Sequence, residues 1–303
     1  VKKSGDSALH ELTLQFDKVS VKQLAVTEAE FSAAEQSLSP ALKDAIRTAA
    51  SNIEKFHAAQ KRDSFKIETT PGVTCWRKGV AIEKVGIYIP GGSAPLFSTV
   101  LMLGIPALLA GCKQVVLCSP PDQSGEINAA ILFAAKLVGV TKVYKVGGAQ
   151  AVAAMAFGTE SIPKVYKIFG PGNQYVTKAK QLVMEEGLAI DMPAGPSEVL
   201  IMADESATPS FVAADLLSQA EHGEDSQVIL VLPKEELFPS IQREMESQLS
   251  RLPRKSIAEK SLLNSRVVIL ENQAAAVDFV NEYAPEHLII NMKNAESIAS
   301  EVV

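Results

Sequence analysis

Residues 84–119 read "KVGIYIPGGSAPLFSTVLMLGIPALLAGCKQVVLCS", and this stretch decides the fold class. Two short apolar runs, KVGIYI and KQVVLCS, flank a glycine-rich turn and an apolar segment of helical length. A strand, a helix and a second strand in this order form the unit that joins parallel strands. The run from Leu96 contains Pro106 and is shorter than the roughly 20 residues that cross a bilayer, so it predicts a buried, kinked helix.

The same alternation of apolar runs and helical segments continues through the rest of the chain. Further strand candidates are KVYKV, VYKIF, SEVLIMA, SQVILVL, RVVIL and EHLIIN. Helical segments separate most of these runs, which is typical of parallel sheets built from βαβ units. The sequence therefore predicts an α/β fold with mainly parallel sheets.

The first sixty residues have a helical pattern instead. Ser39 and Pro40 form a cap and first-turn pair for a long helix. That helix is predicted to carry on one face Leu42, Ile46, Ala49, Ile53 and Phe56. From residue 66 to residue 78 the apolar period falls to two, and "PG" at 71–72 predicts a hairpin turn.

A segment without helical periodicity separates two groups of strands. The sequence "GLAIDMPAGPSE" at 187–198 is rich in glycine and proline, and it predicts a domain boundary near Pro196.

Composition limits the classes of function. The 303 residues carry a formal net charge of −6, which argues against nucleic acid or an anionic membrane as the main partner and favours a small molecule. The three cysteines form no CxxC pair, so a reducing cytoplasm is the expected location. No basic cleavable signal opens the chain, which starts at Val1 inside a helical pattern, and we expect a piece of a longer polypeptide.

Glycine-rich turns follow three strand candidates: "IPGGSAPLF" at 89–97, "VGGAQAVAA" at 146–154 and "FGPGNQYV" at 169–176. Such turns place backbone N–H groups and a helix N-terminus beside a polar or anionic ligand. Tyr88, Gln150 and Asn173 are the polar side chains at these turns. None of the turns is a GxGxxG fingerprint, and tight βα connections without a ligand remain an alternative.

Histidine and carboxylate pairs in the second half are the candidates for chemistry. In "SQAEHG", Gln219 and His222 stand three residues apart, so on a helix they share one face, and Gly223 is predicted to end that helix. In "APEHLIIN", Glu286 and His287 offer two groups for proton transfer. Each pair, taken alone, is also compatible with chance.

Thiol chemistry is not predicted. Cys112 and Cys118 flank an apolar strand candidate and have the pattern of small buried residues.

Five long segments together are more specific than any of these short motifs. They are "YIPGGSAPLFSTVLMLGIPALLAGCKQVVLCSPP", "VGGAQAVAAMAFGTESIPKVYKIFGPGN", "DMPAGPSEVLIMAD", "LLSQAEHGEDSQVIL" and "YAPEHLIIN". In this order they resemble the L-histidinol dehydrogenase family over practically the whole chain. The resemblance implies the oxidation of L-histidinol to L-histidine by two successive NAD, in a zinc-containing homodimer.

The resemblance also implies roles for individual residues. Gln219 and His222 correspond to two zinc ligands, which also contact the substrate. Glu286 corresponds to the base that activates water, and His287 to the acid–base histidine, which also contacts the substrate. Ser197 corresponds to a further substrate contact.

NAD binding and domain organisation are implied in the same way. Tyr88, Gln150 and Asn173 correspond to the NAD-binding positions. The resemblance implies two incomplete Rossmann-like domains, with residues 85–196 inserted into a domain made of 1–84 and 197–303.

One difference from the family affects the zinc site. Members of the family continue beyond residue 303, and that part supplies an Asp and a His that complete the zinc site, the His from the partner subunit, as well as a substrate-binding Glu. Two protein ligands are too few for tight zinc binding. We therefore expect these 303 residues alone to bind zinc weakly and to turn over poorly.

Two other functions remain open. A zinc hydrolase, with Glu286 activating water, predicts activity without a dinucleotide. A metal- or metabolite-binding module predicts binding without turnover.

Overall fold

The computed structural model describes residues 1–91, 96–140, 142–193 and 197–303. By their internal contacts they form two compact units, Val1–Pro193 and Ala194–Val303. No helix within these ranges is both long and apolar enough to span a membrane.

The first unit begins with helices and continues with alternating strands and helices. Its elements are α1 (Gly5–Phe16), α2 (Glu28–Ser37), α3 (Pro40–Ala58), β1 (Phe65–Thr70), β2 (Val73–Arg77), β3 (Lys84–Tyr88), α4 (Phe97–Ala110), β4 (Gln114–Ser119), α5 (Ala129–Leu137), β5 (Lys142–Lys145), α6 (Gly148–Phe157), β6 (Lys167–Phe169), α7 (Gln174–Glu185) and β7 (Ala189–Ile190).

The second unit continues the alternation. Its elements are β8 (Glu198–Ala203), α8 (Pro209–Ala220), β9 (Gln227–Leu232), a short 3-10 helix (Glu235–Leu237), α9 (Phe238–Leu249), α10 (Lys255–Leu263), β10 (Arg266–Ile269), α11 (Gln273–Tyr283), β11 (His287–Asn291) and α12 (Ala295–Ala299).

The main sheet of each unit is parallel, so the predicted α/β class is confirmed. The strand order in the first unit is β5-β4-β3-β6-β7, and in the second it is β10-β9-β8-β11. In both sheets the chain starts at an inner strand, adds strands on one side and then crosses to the other. This is the order of doubly wound folds, and their ligands bind where the direction reverses, at the carboxyl ends of the strands. The reversal lies between β3 and β6 in the first sheet and between β8 and β11 in the second.

Successive side chains of each strand point to opposite faces of its sheet. In β4, Val116 and Cys118 belong to the apolar cluster that includes α6, while Leu117 belongs to the cluster on the other face with α4 and α5. Burial on both faces explains why these strands read as continuous apolar runs rather than as alternating ones.

The N-terminal helices start at capping residues, as predicted for α3. Ser39 Oγ accepts a hydrogen bond from the Leu42 N–H at 3.3 Å, and Pro40 occupies the first helical position. Ile46 is fully buried, whereas Phe56, which the pattern places on the same face, is 69% exposed. The apolar stripe ends at Ile53, one turn before the helix itself ends.

The contacts of these helices place them in the first unit. Phe31 of α2 and Ile46 of α3 are buried in one cluster with Val100 of α4 and Leu132 of α5. The apolar faces of α2 and α3 are thus covered by α4 and α5, while the predicted division, in which 85–196 is inserted into a domain of 1–84 and 197–303, stays a prediction. The predicted boundary at Pro196 lies outside the described residues, as does part of the predicted turn at 89–97.

The predicted hairpin is present as the antiparallel pair of β1 and β2 around Gly72, whose φ is +83°. The predicted buried helix at Leu96 is α4, with Pro106 inside it, although Met102 and Leu108 are exposed.

Candidate active site

Ser197, Glu286 and His287 lie together at the amino edge of the second sheet. Strands β8 and β11 are parallel neighbours with His287 opposite Val199, so the residues that precede the two strands are adjacent. Ser197 Oγ donates a hydrogen bond to Glu286 Oε2 at 3.1 Å. The structure thus joins three of the predicted site residues, although Glu286 is 89 positions from Ser197 in sequence.

The chain reaches this edge through a sharp reversal after α11. Ala284 is the C-cap in a left-handed conformation, with φ 50° and ψ 60°, and its N–H bonds to the Val280 carbonyl. A left-handed alanine costs roughly 1–2 kcal/mol, and Pro285 then prevents the helix from continuing. This local strain directs Glu286 and His287 to the start of β11.

The Glu286 and His287 side chains are close and open to solvent. Glu286 Oε1 lies 3.7 Å from His287 Nε2, and the two side chains are 48% and 55% exposed. Ser197 holds the other carboxylate oxygen, so the first remains available for a proton. A carboxylate and an imidazole that both reach solvent can take and return protons for a bound substrate.

Gln219 and His222 lie at the end of α8, which also meets the amino edge of the sheet. Gln219 is only 6% exposed, and its side-chain Nε2 is buried without a hydrogen-bond partner in the described structure. His222 is exposed, and its N–H donates to the Gln219 carbonyl at 3.1 Å. An unpartnered buried amide costs free energy, which makes Gln219 a candidate for a ligand contact.

The prediction that Gly223 ends this helix is wrong. Helix α8 ends at Ala220 with Glu221 as C-cap in a right-handed conformation, and His222 already belongs to the following turn. The Glu221 N–H bonds to the carbonyls of Gln219 and Leu217, so the last turn tightens without a left-handed glycine.

The described contacts do not complete a metal site. Within the part of the chain that the structure describes, no group of three or more His, Cys, Asp or Glu side chains is placed to hold a metal ion. No hydrogen bond or ion pair links the Gln219–His222 pair to the Ser197–Glu286–His287 group among those residues either. An imidazole nitrogen and an amide oxygen can fill two positions of a zinc site, which normally has three or four protein ligands.

The predicted cofactor residues lie at the carboxyl edge of the first sheet. Tyr88 ends β3, and its hydroxyl accepts a hydrogen bond from the Gly148 N–H at the start of α6, at 3.0 Å. The N-cap of α6 is Gly147, which has no side chain to cap the helix, so Tyr88 supplies that acceptor from another strand. The Gln150 amide folds back against Gly148, and both Tyr88 and Gln150 are buried.

Burial keeps the Tyr88 phenol neutral. Loss of solvent raises the pKa of Tyr88 to about 12, against the lowering effect of the Gly148 N–H. A neutral phenol retains its proton and can donate it to a ligand group.

Asn173 lies on the other side of the strand reversal. It is the N-cap of α7, and its Oδ1 accepts hydrogen bonds from the N–H groups of Tyr175 and Val176, each at 3.1 Å. Asn173 is exposed and its amide nitrogen is not engaged in these bonds. Tyr88 and Asn173 therefore border the β3–β6 reversal, where doubly wound folds bind their ligands.

Two residues beside this edge belong to none of the sequence motifs. Lys180 and Asp191 form a largely buried ion pair that holds the backbone of Gly170, directly after β6. The helical spacing of Val176, Lys180 and Val183 places the lysine on the buried face of α7. A lysine at an apolar position of the helical pattern could have indicated a buried ion pair.

The cysteines match their prediction only in part. Cys118 is fully buried, and burial raises the pKa of its thiol. Cys112 is half-buried and Cys75, on the hairpin, is exposed.

Comparison with known proteins agrees with the fold. The family model described as histidinol dehydrogenase matches residues 1–303. The chain is 59% identical over 303 residues to the histidinol dehydrogenase of Bacteroides fragilis (strain YCH46), covering all of this chain and 71% of that protein. It is 54% identical over 304 residues to the histidinol dehydrogenase of Escherichia coli (strain K12), covering all of this chain and 69% of that one.

A solved structure extends the likeness to three dimensions. The crystal structure of histidinol dehydrogenase from Elizabethkingia anophelis superposes with a TM-score of 0.96 at 57% identity, covering 98% of this chain and 69% of the other. The sequence matches over all of its length and the fold over 98% of it, so the chain belongs to the histidinol dehydrogenase family.

Proposed function

We propose that this chain catalyses the NAD-dependent four-electron oxidation of L-histidinol to L-histidine through the aldehyde, the final steps of histidine biosynthesis. The observation that carries the proposal is the contact of Ser197, Glu286 and His287 at one sheet edge, in a chain of this family. The reaction needs a proton acceptor for an alcohol and a base for water, and these side chains can supply both.

His287 acts on the alcohol. Its Nε2 takes the hydroxyl proton of L-histidinol while the C–H bond of the same carbon gives up a hydride. The substrate becomes the aldehyde. The half-exposed imidazole passes the proton to solvent and is neutral again for the second oxidation.

Glu286 acts on water. The aldehyde becomes a hydride donor only after hydration, so Glu286 takes a proton from a water molecule as its oxygen attacks the aldehyde carbon, and the former carbonyl oxygen takes a proton from solvent to give the gem-diol. The gem-diol then loses the second hydride, and a hydroxyl proton goes to His287. The hydrogen bond from Ser197 to Oε2 orients the carboxylate and leaves Oε1 for the proton.

NAD is proposed to bind at the carboxyl edge of the first sheet, where it would accept the hydrides. Tyr88, Gln150 and Asn173 are the residues that would hold it. Their groups are a neutral phenol and two amides, which suit hydroxyl and amide groups of a dinucleotide. The strand order β5-β4-β3-β6-β7 supports the assignment, since this edge contains the reversal.

Zinc is proposed to bind Gln219 and His222, where it would orient the imidazole and amino groups of L-histidinol. Gln219 would ligate zinc through its side-chain oxygen, and its buried Nε2, which has no partner among the described residues, would be left to donate a hydrogen bond to a substrate atom. Two ligands fill part of a zinc site, so we propose that residues 1–303 alone bind zinc weakly and turn over poorly. A stoichiometric, chelator-resistant zinc on these residues alone would refute that proposal.

The homodimer and the cytoplasmic location implied by the family stay predictions. The three cysteines are free thiols, which is compatible with a reducing compartment. Light scattering on the protein with its natural ends would establish the oligomeric state.

The test of the proposed function is the number of NADH formed per L-histidinol consumed, with zinc present, on the polypeptide with its natural ends. Two NADH per substrate would establish the four-electron dehydrogenase. If no NADH forms while zinc is bound and L-histidinol stays intact, the proposed dehydrogenase function is refuted, and the zinc hydrolase or the binding module is favoured.

A further inference from the structure

Gly170 is held on both sides by a single ion pair at the point where the chain leaves β6. Its N–H donates to Asp191 Oδ2 at 2.8 Å, and its carbonyl accepts from Lys180 Nζ at 2.9 Å. Lys180 and Asp191 also contact each other, and Lys180 is only 5% exposed. We name this arrangement of Lys180, Asp191 and Gly170 the glycine clamp.

The clamp replaces strand pairing that has ended. The register of β6 with β7 stops at Ile168 and Ile190, and the Asp191 N–H donates to the Ile168 carbonyl at 3.1 Å. Beyond that point the buried backbone groups of Gly170 have no strand beside them and need other partners. The Asp191 carboxylate and the Lys180 ammonium satisfy them, since a long side chain on α7 points back towards the N-terminus of its helix.

Gly170 also lies directly against Tyr88. Its φ is +129°, and a Cβ at this position would overlap the Tyr88 carbonyl oxygen. Asn173, the N-cap of α7, follows three residues later. The position of Gly170 therefore sets the distance between the two residues that border the β3–β6 reversal.

We propose that the ion pair of Lys180 and Asp191 is a positioning device for the dinucleotide: by fixing Gly170 it holds the Asn173 amide and the start of α7 against Tyr88. The inference rests on the proposed function and adds two residues that touch neither substrate nor cofactor.

A purely structural role explains the pair less well. Burying two charges costs desolvation free energy, and apolar residues of similar volume often give equal or greater stability. Apolar side chains would leave the N–H and the carbonyl of Gly170 unbonded, and the loop would lose its fixed path. An ion pair at this place fixes the position of Gly170 more than it stabilises the fold.

The test compares Lys180→Met with a matched control. A second largely buried pair in the same unit, Lys145 with Glu30, links the end of β5 to the N-terminus of α2. Lys145→Met breaks that pair and leaves Gly170 unchanged. Asp191→Asn is the milder second variant, because its amide oxygen can still accept the Gly170 N–H.

Two measurements distinguish a positioning role of the pair from a general effect on stability. They are the NAD affinity measured by calorimetry and the KM values for NAD and L-histidinol. We expect Lys180→Met to raise the Kd and KM for NAD at least about tenfold, and Asp191→Asn about threefold. The KM for L-histidinol should stay within about twofold in both. Lys145→Met should lower the melting temperature comparably while its Kd for NAD stays within about twofold.

Equal NAD affinity in wild type and Lys180→Met would overturn the positioning role of the glycine clamp and leave the proposed function intact. An equal loss of NAD affinity in Lys145→Met would also overturn it, because general destabilisation would then suffice. A wild type that neither binds NAD nor forms NADH would overturn the proposed function and the clamp's role in it. Hydrogen exchange of the amides at 170–176 without NAD would then still report whether the pair fixes this loop.

Discussion

Replacement of Glu286 by Gln separates the two oxidations of the proposed reaction. The amide keeps the size of the carboxylate, and its oxygen can still accept the hydrogen bond that Ser197 donates at 3.1 Å. It cannot take a proton from water. His287 is unchanged, so the first oxidation should proceed and the aldehyde should not be hydrated efficiently.

The magnitude follows from the role of a general base. Proton transfer by a positioned side chain contributes roughly 10²–10⁴ in rate, which corresponds to about 2.7–5.4 kcal/mol. We expect kcat for the complete reaction to fall by that factor. Because Glu286 is half-exposed, the free energy of unfolding should change by less than about 0.5 kcal/mol.

Ser197→Ala is the matched control. It removes the hydroxyl that orients Glu286 and leaves the base in place. One hydrogen bond contributes about 0.5–1.5 kcal/mol, so kcat should fall by no more than about tenfold. The two variants should therefore differ by at least one order of magnitude.

The assay is NADH formed per L-histidinol, followed from the first turnover to completion with the aldehyde trapped by a hydrazine. Glu286→Gln should give one NADH and trapped aldehyde, and the wild type two. Two NADH at a rate within about threefold of the wild type would show that another group activates water, and the reasoning would be refuted.

Three further results are expected. Asn173→Ala should raise the KM for NAD and lower the free energy of unfolding by about 1 kcal/mol, because α7 loses two capping hydrogen bonds; an unchanged urea midpoint would contradict this. Burial raises the pKa of Asp17, whose Oδ2 has no partner among the described residues, so stability present below its usual pKa, about 3.9, is lost as pH rises through the raised value. Asp17→Asn should therefore raise the melting temperature at neutral pH and have no effect at pH about 3; equal melting curves at both pH values would count against it. Iodoacetamide should modify Cys75 and spare Cys118 in the native protein without loss of activity; inactivation in step with Cys75 labelling, followed by peptide mass spectrometry, would be the contrary outcome.

Strands and turns were predictable because their signals are local. All eight strand candidates lie on observed strands, and the apolar runs of the inner strands β3, β4, β8 and β9 are explained by burial on both faces of their sheets. The two-residue strand β7 was missed, since Ala189 and Ile190 are too few to give a period. The exposure of Phe56 was not predictable, because periodicity marks a face of the helix but not how far its neighbours cover it.

Contacts between residues that are distant in sequence could not be predicted from local sequence patterns. Ser197 meets Glu286 only because β8 and β11 are neighbours, and this follows from the sheet order. Lys180 and Asp191 are eleven positions apart by their numbers, yet each is bound to Gly170 through the fold rather than through sequence spacing. The candidate proton-transfer residues could be named from the sequence, while their geometry required the sheet.

The two sheets share one strand order but differ in which edge carries the candidate residues. At the carboxyl edge of the second sheet, Asp204 Oδ2 accepts the Lys293 N–H at 3.0 Å, which joins the segments after β8 and β11 across the reversal. Its other oxygen accepts from Ser206, so this carboxylate is already occupied at the place where a ligand would bind. In the first sheet the equivalent reversal lies between Tyr88 and Asn173, whose phenol proton and amide nitrogen remain available for a ligand. The same topology therefore favours a ligand at the carboxyl edge of the first sheet and, in the second, leaves the amino edge for chemistry.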